Sequence, residues 1–141
     1  MDVEAHLFIG VIDAATLFRF VDGLVADGKR VLTGTVAKQL SIRHARGDTA
    51  LGGGVVVPHA AIRRLRRARL VYVQAQTPID MITPDLRPVQ DALTLLVRYP
   101  PSLADLALLE RVRDPYMCPI LIDLLRRGLC AEAASRLAQL A

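Results

Sequence analysis

The spacing of apolar residues along the chain predicts helical segments followed by extended ones. Within residues 13–26 the apolar positions lie three and four residues apart, which places them on one stripe of a helix, and Asp27-Gly28 supplies its end. A second helix is predicted over residues 33–43. Short runs of apolar and β-branched residues predict strands at residues 55–57, 70–76 and 92–98.

The last third of the chain is predicted to be helical. Ser102 follows two prolines and precedes Asp105 by three residues, a pairing typical of the capping box that begins a helix. Gly128 separates this stretch from a final helix whose apolar face includes Leu140. The sequence has no repeat and no linker, so residues 1–141 are expected to form one domain of the α/β class. We expect a central mixed β-sheet flanked by helices on both sides.

A glycine-rich run at residues 49–60 is the most distinctive local pattern. The triplet Gly52-Gly53-Gly54 predicts a sharp turn, and the valines after it predict a short buried strand. Pro58 lacks a backbone N–H, so we expect strand pairing to end there and His59 to lie at the strand's exit. Taken alone, the pattern also fits an ordinary histidine at the end of a buried strand.

A longer pattern surrounds this run: Arg43, Gly47-x-Thr49, Leu51-Gly52-x-Gly54 and Pro58-His59. Three further segments follow it: Thr77-Pro78-Ile79, Asp85-Leu86-Arg87-Pro88-Val89 and Leu93-Thr94-Leu95-Leu96-Val97. Together they resemble the signature of enzyme IIA of the fructose, mannitol and nitrogen-regulatory type, a domain of the bacterial phosphoenolpyruvate-dependent phosphotransferase system. The resemblance extends from about Asp13 to the C-terminus. It implies the α/β fold of that family and a phosphoryl group carried on His59.

The resemblance also implies roles for residues around His59. A histidine phosphocarrier protein would donate the phosphoryl group to this imidazole, which is largely neutral at physiological pH. Arg43 would hold phosphate oxygens through its guanidinium, although an arginine at a helix end is often simply solvated. Thr49, Gly52 and Gly54 would form a phosphate-binding loop, and the same residues also fit a plain β-turn.

Two positions depart from the family pattern. Many members have a second histidine beside the first, and here the nearest position holds Asp105, which we interpret as a helix cap. His44 stands where the family usually has glutamate, and both His44 and His6 are interpreted as bystanders. Three scattered histidines without the spacing of metal ligands predict no metal site, and no cofactor is expected.

Arginines crowd the segment that follows His59: Arg63, Arg64, Arg66, Arg67 and Arg69. With a formal net charge of +4, such a cluster suggests nucleic-acid binding as one hypothesis. No aromatic residues are interleaved and no binding motif surrounds it, so no nucleic acid is expected as a partner. We interpret Arg63, Arg64, Arg66 and Arg67 as a docking site that steers an acidic face of a partner protein.

Other features favour a cytoplasmic protein that does not insert into a membrane. The best candidate for a membrane span, residues 7–25, is interrupted by charged residues that a bilayer core would penalise. The N-terminus carries acidic rather than basic residues, which is not typical of a signal peptide. Cys118 and Cys130 fit buried thiols better than metal ligands.

The leading hypothesis is a regulatory component of the phosphotransferase system that is phosphorylated on His59 and signals to partner proteins. We expect no fused transporter or enzyme IIB domain, and this expectation favours the nitrogen-regulatory branch over a dedicated sugar carrier. One alternative is a sugar-specific enzyme IIA that passes its phosphoryl group to a separate enzyme IIB. Another is a regulatory binding protein that keeps the fold with little phosphotransfer.

Overall fold

The computed structural model describes residues 1–139, and within them a mixed β-sheet is covered by helices on both faces. The strands are β1 (Asp2–Ile9), β2 (Ala50–Gly52), β3 (Val55–Val56), β4 (His59–Ile62), β5 (Arg69–Ile79) and β6 (Val89–Arg98). The helices are α1 (Ala14–Val25), α2 (Thr35–Ala45), α3 (Leu103–Arg113), α4 (Met117–Arg126) and α5 (Cys130–Ala138).

The strand order of the sheet is β1-β5-β6-β3-β2, and β4 also pairs with β6. β1 runs parallel to β5, while β5 and β6 pair antiparallel. β3 and β4 are both parallel to β6, and β2 forms an antiparallel hairpin with β3. The expected fold class, a central mixed sheet flanked by helices on both sides, is confirmed.

The two faces of the sheet bury separate cores, because neighbouring residues of a strand point to opposite sides. On β5, Val71 and Val73 belong to the core shared with α1 and α2. Leu70 and Tyr72 belong to the core shared with α3, α4 and α5. All four side chains are completely buried, which explains why β5 is a continuous apolar run rather than an alternating one.

Strand pairing does not end at Pro58, contrary to the expectation from the sequence. Val56 is paired with Ala92 and His59 with Leu95, so β3 and β4 keep one register along β6 across the break. Pro58 has no N–H to donate, but its carbonyl accepts a hydrogen bond from the Leu95 N–H at 2.9 Å. His59 is therefore the first residue of a resumed strand rather than the residue that follows a finished one.

The glycine triplet forms the sharp turn that the sequence predicts. Gly53 and Gly54 connect β2 to β3 with φ angles of +65° and +85°, a conformation that favours glycine. A Cβ atom on Gly54 would lie 2.6 Å from the Pro88 carbonyl oxygen, so this position is closed to any side chain. Asp85 accepts a hydrogen bond from the Gly53 N–H at 2.9 Å, which ties the turn to the loop before β6.

Asp22 joins the two helices on one face of the sheet. This residue is only 4% exposed, and its carboxylate accepts hydrogen bonds from the backbone N–H groups of Gly34 at 3.0 Å and Ala37 at 2.9 Å. Gly34 caps α2 without a side chain of its own, so the carboxylate from α1 supplies the missing acceptor. The bond fixes the beginning of α2, the helix that carries Arg43.

Most predicted elements are present with shifted bounds, and three strands were not predicted. The sequence-based interpretation contains none of β1, β2 and β4, and it begins the second helix slightly before Thr35. The Ser102–Asp105 capping box of α3 is confirmed by both of its hydrogen bonds. Leu140, which the apolar pattern assigns to the last helix, lies outside the described residues. No helix within residues 1–139 is both long and apolar enough to cross a membrane.

The close approach of Gly54 to Pro88 predicts a strong dependence on glycine at this one position. We expect Gly54→Ala to lower the free energy of unfolding by about 2–4 kcal/mol, because a strained φ is combined with a backbone clash. Gly53→Ala is the matched control, since its Cβ would meet nothing within 4 Å; strain alone should cost about 1–2 kcal/mol. Urea unfolding midpoints at unchanged slope measure both values. Equal losses in the two variants would contradict the proposed clash.

Candidate functional site

His59 is half-buried, and each of its ring nitrogens has a different partner. Nδ1 lies 2.9 Å from the Val57 carbonyl oxygen, and Nε2 lies 3.3 Å from Nε of Arg43. A carbonyl can only accept and an arginine nitrogen can only donate. The contacts therefore select one tautomer, in which Nδ1 carries the proton and Nε2 has the free electron pair. Of the two ring nitrogens, Nε2 is thus the one able to act as a nucleophile.

The strand break at Pro58 provides the carbonyl that orients this ring. The Val57 N–H points away from β6 and donates to the Thr49 carbonyl at 3.0 Å. The Val57 carbonyl, which points the same way, accepts from the imidazole instead of from a strand. The backbone on both sides of Pro58 thus fixes the ring that follows it.

Arg43 reaches His59 from the last turn of α2. Its Nη1 donates to the Gly47 carbonyl at 3.0 Å, while its Nε donates to the imidazole. Within residues 1–139 its Nη2 has no hydrogen-bond partner, so one terminal nitrogen remains available to an anion. The structure thus brings together Arg43 and His59, which are sixteen positions apart in sequence.

The surroundings of His59 favour its neutral form. Burial is the largest influence and lowers the pKa of the imidazole below its ordinary value of 6.5. The hydrogen bond to the Val57 carbonyl opposes this by favouring the protonated ring, and the positive charges of Arg43 and Arg113 lower the pKa further. Because the net shift is downward, Nε2 is unprotonated at neutral pH.

Arg113 is a residue of the site that the sequence analysis missed. It is exposed and follows Leu109 by four residues and Leu106 by seven, a spacing that places all three on one face of α3. Leu106 and Leu109 line a cavity of about 120 Å³ against His59. The helical spacing was the available signal, but it could not reveal which face of α3 meets the sheet.

Asp105 is confirmed as a helix cap. Its carboxylate accepts from the Ser102 N–H at 2.9 Å, and its own N–H donates to the Ser102 hydroxyl at 3.1 Å. The residue also lines the small cavity at His59. No second histidine lines that cavity within the described part of the chain; its wall is mostly apolar.

The predicted phosphate-binding loop supports the hairpin through its backbone. The Thr49 carbonyl holds Val57, and a Cβ atom on Gly52 would lie 3.5 Å from the Asp85 carboxylate. The Gly54 carbonyl accepts hydrogen bonds from two N–H groups at the start of β6. These contacts explain the glycines by packing, and a role for Thr49, Gly52 and Gly54 in binding phosphate stays a prediction.

The predicted docking arginines follow the end of β4 that is remote from His59: Arg63, Arg64, Arg66 and Arg67. The Arg63 guanidinium stacks on the Tyr99 ring, 4.1 Å from its centroid, and Arg67 pairs with Asp2 at 2.6 Å. Arg64 and Arg66 are exposed and form no ion pair with any residue of 1–139. The steering role of this cluster stays a prediction, which Arg64 and Arg66 are best placed to test.

The remaining histidines have contacts of their own. His6 Nε2 lies 3.0 Å from the Glu4 carboxylate, and its ring packs edge-on against Phe20. The His44 ring packs edge-on against Phe18. No group of histidine, cysteine and acidic residues within residues 1–139 has the arrangement of a metal site.

The same fold is found in a solved nitrogen regulatory protein. The chain is similar to the crystal structure of nitrogen regulatory protein IIA-Ntr from Neisseria meningitidis, with a TM-score of 0.74 and 21% identity over 97% of this chain and 92% of that one. No protein-family model and no curated protein matches the sequence. The likeness establishes the fold, which is the α/β fold of a nitrogen-regulatory IIA protein, as the motifs around His59 indicate.

The geometry predicts an unusually acidic imidazolium at His59. We expect its pKa, followed through the ring-proton chemical shifts by NMR, to lie below 6.5, because burial and two guanidinium groups disfavour the charged ring. Arg113→Gln should raise this pKa, since it removes one positive charge from an exposed position. Arg19→Gln, on the far face of the sheet, should leave it unchanged. A midpoint above 6.5 in the parent protein would contradict the assigned surroundings.

Proposed function

We propose that this chain is a IIA-type phosphoryl carrier that accepts a phosphoryl group on Nε2 of His59. The observation that carries the proposal is the fixed tautomer: the Val57 carbonyl holds the proton on Nδ1, so the unprotonated nitrogen faces Arg43. The fold shared with a nitrogen-regulatory IIA protein supports the same conclusion. The donor we propose is a histidine phosphocarrier protein.

The transfer needs positioning and positive charge more than it needs an acid or a base. The Nε2 electron pair attacks phosphorus, and the bond between phosphorus and the donor's imidazole nitrogen breaks as the new bond forms. Charge spreads over the phosphoryl oxygens in the loose transition state, where cations stabilise it. Arg43 contacts Nε2 before transfer and is anchored at Gly47, so a small movement brings its guanidinium to the phosphoryl oxygens.

The surface around His59 is suited to a protein partner. Leu103 is 84% exposed and Leu106 is 51% exposed, and both lie on α3, which covers the imidazole. Exposed apolar side chains of this size beside a reactive group are typical of a docking surface. We propose that the phosphocarrier and a regulatory target protein use this surface in turn.

A regulatory role is favoured over sugar transfer, and the cytoplasm is the proposed compartment. Cys118 and Cys130 are free thiols, which accords with a reducing compartment. No second histidine lines the cavity at His59 within residues 1–139. We therefore expect slow phosphoryl exchange, which suits a regulatory signal better than the continuous transfer that sugar uptake requires. Transfer to an enzyme IIB, followed by cysteine labelling of the acceptor, would instead indicate a sugar carrier.

Phosphorylation by purified donors tests the proposal directly. With phosphoenolpyruvate, enzyme I and the phosphocarrier, we expect the intact mass to rise by one phosphoryl group, with NMR placing it on Nε2. His59→Gln should abolish labelling, and His44→Gln is the matched control because it removes a histidine from the same helix as Arg43. Arg43→Gln should slow labelling about 100-fold, since it removes a guanidinium that stabilises the transition state.

The outcomes separate the hypotheses. Labelling that persists in His59→Gln would contradict the acceptor. A folded parent protein that is never labelled would favour the regulatory binding protein that keeps the fold without phosphotransfer.

The arginine cluster predicts a salt-dependent rate of association with the donor. The double variant Arg64→Gln/Arg66→Gln should lower the second-order rate of phosphorylation several-fold at low ionic strength and flatten its dependence on salt. Arg19→Gln/Arg136→Gln removes the same charge elsewhere and serves as control. An unchanged rate and unchanged salt dependence in the first variant would rule out steering by these residues.

A further inference from the structure

A second, larger cavity lies beside the His59 site. Its volume is about 600 Å³, and it opens between the β2–β3 hairpin, β6 and the α3–α4 region. Apolar side chains from the hairpin and from α4 form its walls: Leu51, Val55, Cys118, Pro119 and Ile122. Gly52 and Gly53 form part of its rim. The volume is in the range of sites that bind small organic molecules.

Most charged groups in this cavity are already paired. Asp91 is 6% exposed, accepts a hydrogen bond from the Tyr72 hydroxyl, and pairs with Arg126 at 2.7 Å. Arg126 also donates to the Tyr72 oxygen at 3.1 Å. Burial and the Asp91 carboxylate raise the pKa of Tyr72, so its hydroxyl stays protonated. Tyr72, Asp91 and Arg126 therefore satisfy one another's hydrogen bonds, and this network offers no free charge to a ligand.

Arg113 is the exception. Asp123, the other acidic residue on the wall, has an ion-pair partner in Arg127 at 3.4 Å. Arg113 also lines the cavity, yet its guanidinium forms no ion pair with any residue of 1–139. The cavity therefore combines apolar walls with a single uncompensated positive charge at the side that faces His59.

We propose that this cavity binds a small amphiphilic molecule with one anionic head group, which pairs with Arg113 while its apolar body lies against Leu51, Val55 and Ile122. A medium-chain carboxylate is the simplest ligand of this class. A guanidinium binds a carboxylate through two parallel hydrogen bonds, and the apolar walls add the favourable free energy of burial.

The charge pattern of the cavity argues against other ligand classes. A polyphosphate would bring several negative charges to a cavity in which only Arg113 has no ion-pair partner within residues 1–139, because Arg126 is already paired with Asp91. A neutral apolar molecule would contact the apolar walls but would gain no ion pair with Arg113. A ligand with a single negative charge neutralises Arg113 and leaves no further negative charge without a partner.

Occupancy of the cavity is coupled to His59 through Arg113. Three charged groups face the imidazole from the helices packed around it: Arg43 on α2, and Asp105 and Arg113 on α3. A bound anion neutralises the field of Arg113, so it raises the pKa of His59. By reciprocity, any further negative charge on His59 competes with the ligand for that arginine. Binding and pKa are measured without phosphoryl transfer, so neither depends on the proposed function.

Two fluorescent molecules of matched shape test the site. The sequence contains no tryptophan, so the emission of added dyes is free of that background. We expect 1-anilinonaphthalene-8-sulfonate to bind the parent protein and to be displaced by octanoate but not by acetate or octanol. The uncharged N-phenyl-1-naphthylamine should bind about tenfold more weakly or worse, because it cannot pair with Arg113.

Variants and NMR locate the binding. Arg113→Gln should weaken binding of the sulfonate at least about tenfold, whereas Arg19→Gln should not change it. Amide chemical shifts should move at Gly52, Gly53 and the start of α4, and octanoate should raise the pKa of His59 in the parent but not in Arg113→Gln.

Equal affinity of the parent and Arg113→Gln for the sulfonate would overturn the proposal. So would shifts confined to other exposed apolar residues, such as Ile82 and Leu86. Failure of phosphorylation with intact octanoate binding would leave this site established and reject only the proposed function. Phosphorylation without octanoate binding would do the reverse.

Discussion

The pairing of β3 and β4 along a single edge of β6 positions the imidazole around which the site is built. Because Val56 and His59 keep one register across Pro58, His59 faces α3, and the backbone before it is held by Thr49 and β6. A slip of one residue would turn the imidazole to the opposite face of the sheet. β6 also carries Asp91 into the network with Tyr72 and Arg126, so one strand supports both the histidine and the neighbouring cavity.

Two helices on opposite faces of the sheet supply the charges that act on this histidine. Arg43 comes from α2, whose beginning is fixed by Asp22, and Arg113 comes from the end of α3. Their positive charges make the protonated ring less favourable. The same charges would make an attached phosphoryl group more favourable, since the sign of the added charge is reversed. A single electrostatic arrangement can thus both prepare an acceptor and hold its product.

The parts of the fold that could be predicted are those in which local pattern and tertiary packing agree. The apolar stripe of α1 and the apolar runs of β5 and β6 are buried as expected. β1 was missed although its acidic residues alternate with apolar ones, because one half-buried edge strand is a weak signal. The local rule for Pro58 was wrong because pairing with β6 outweighs one missing N–H. Arg113 could not be predicted, since its position depends on how α3 crosses the sheet.

The topology of the sheet has a consequence for the order in which the chain folds. β1 is synthesised first, yet its partner is β5, where Asp2 meets Arg69. Closing so long a loop is entropically costly, and contacts of this kind slow folding. During synthesis on a ribosome, α1 and α2 can pack together because they are close in sequence, whereas β1 has no strand partner until β5 has been made. The strand that carries His59 pairs with β6, so the proposed phosphoryl acceptor is held in place only after β6 has been synthesised.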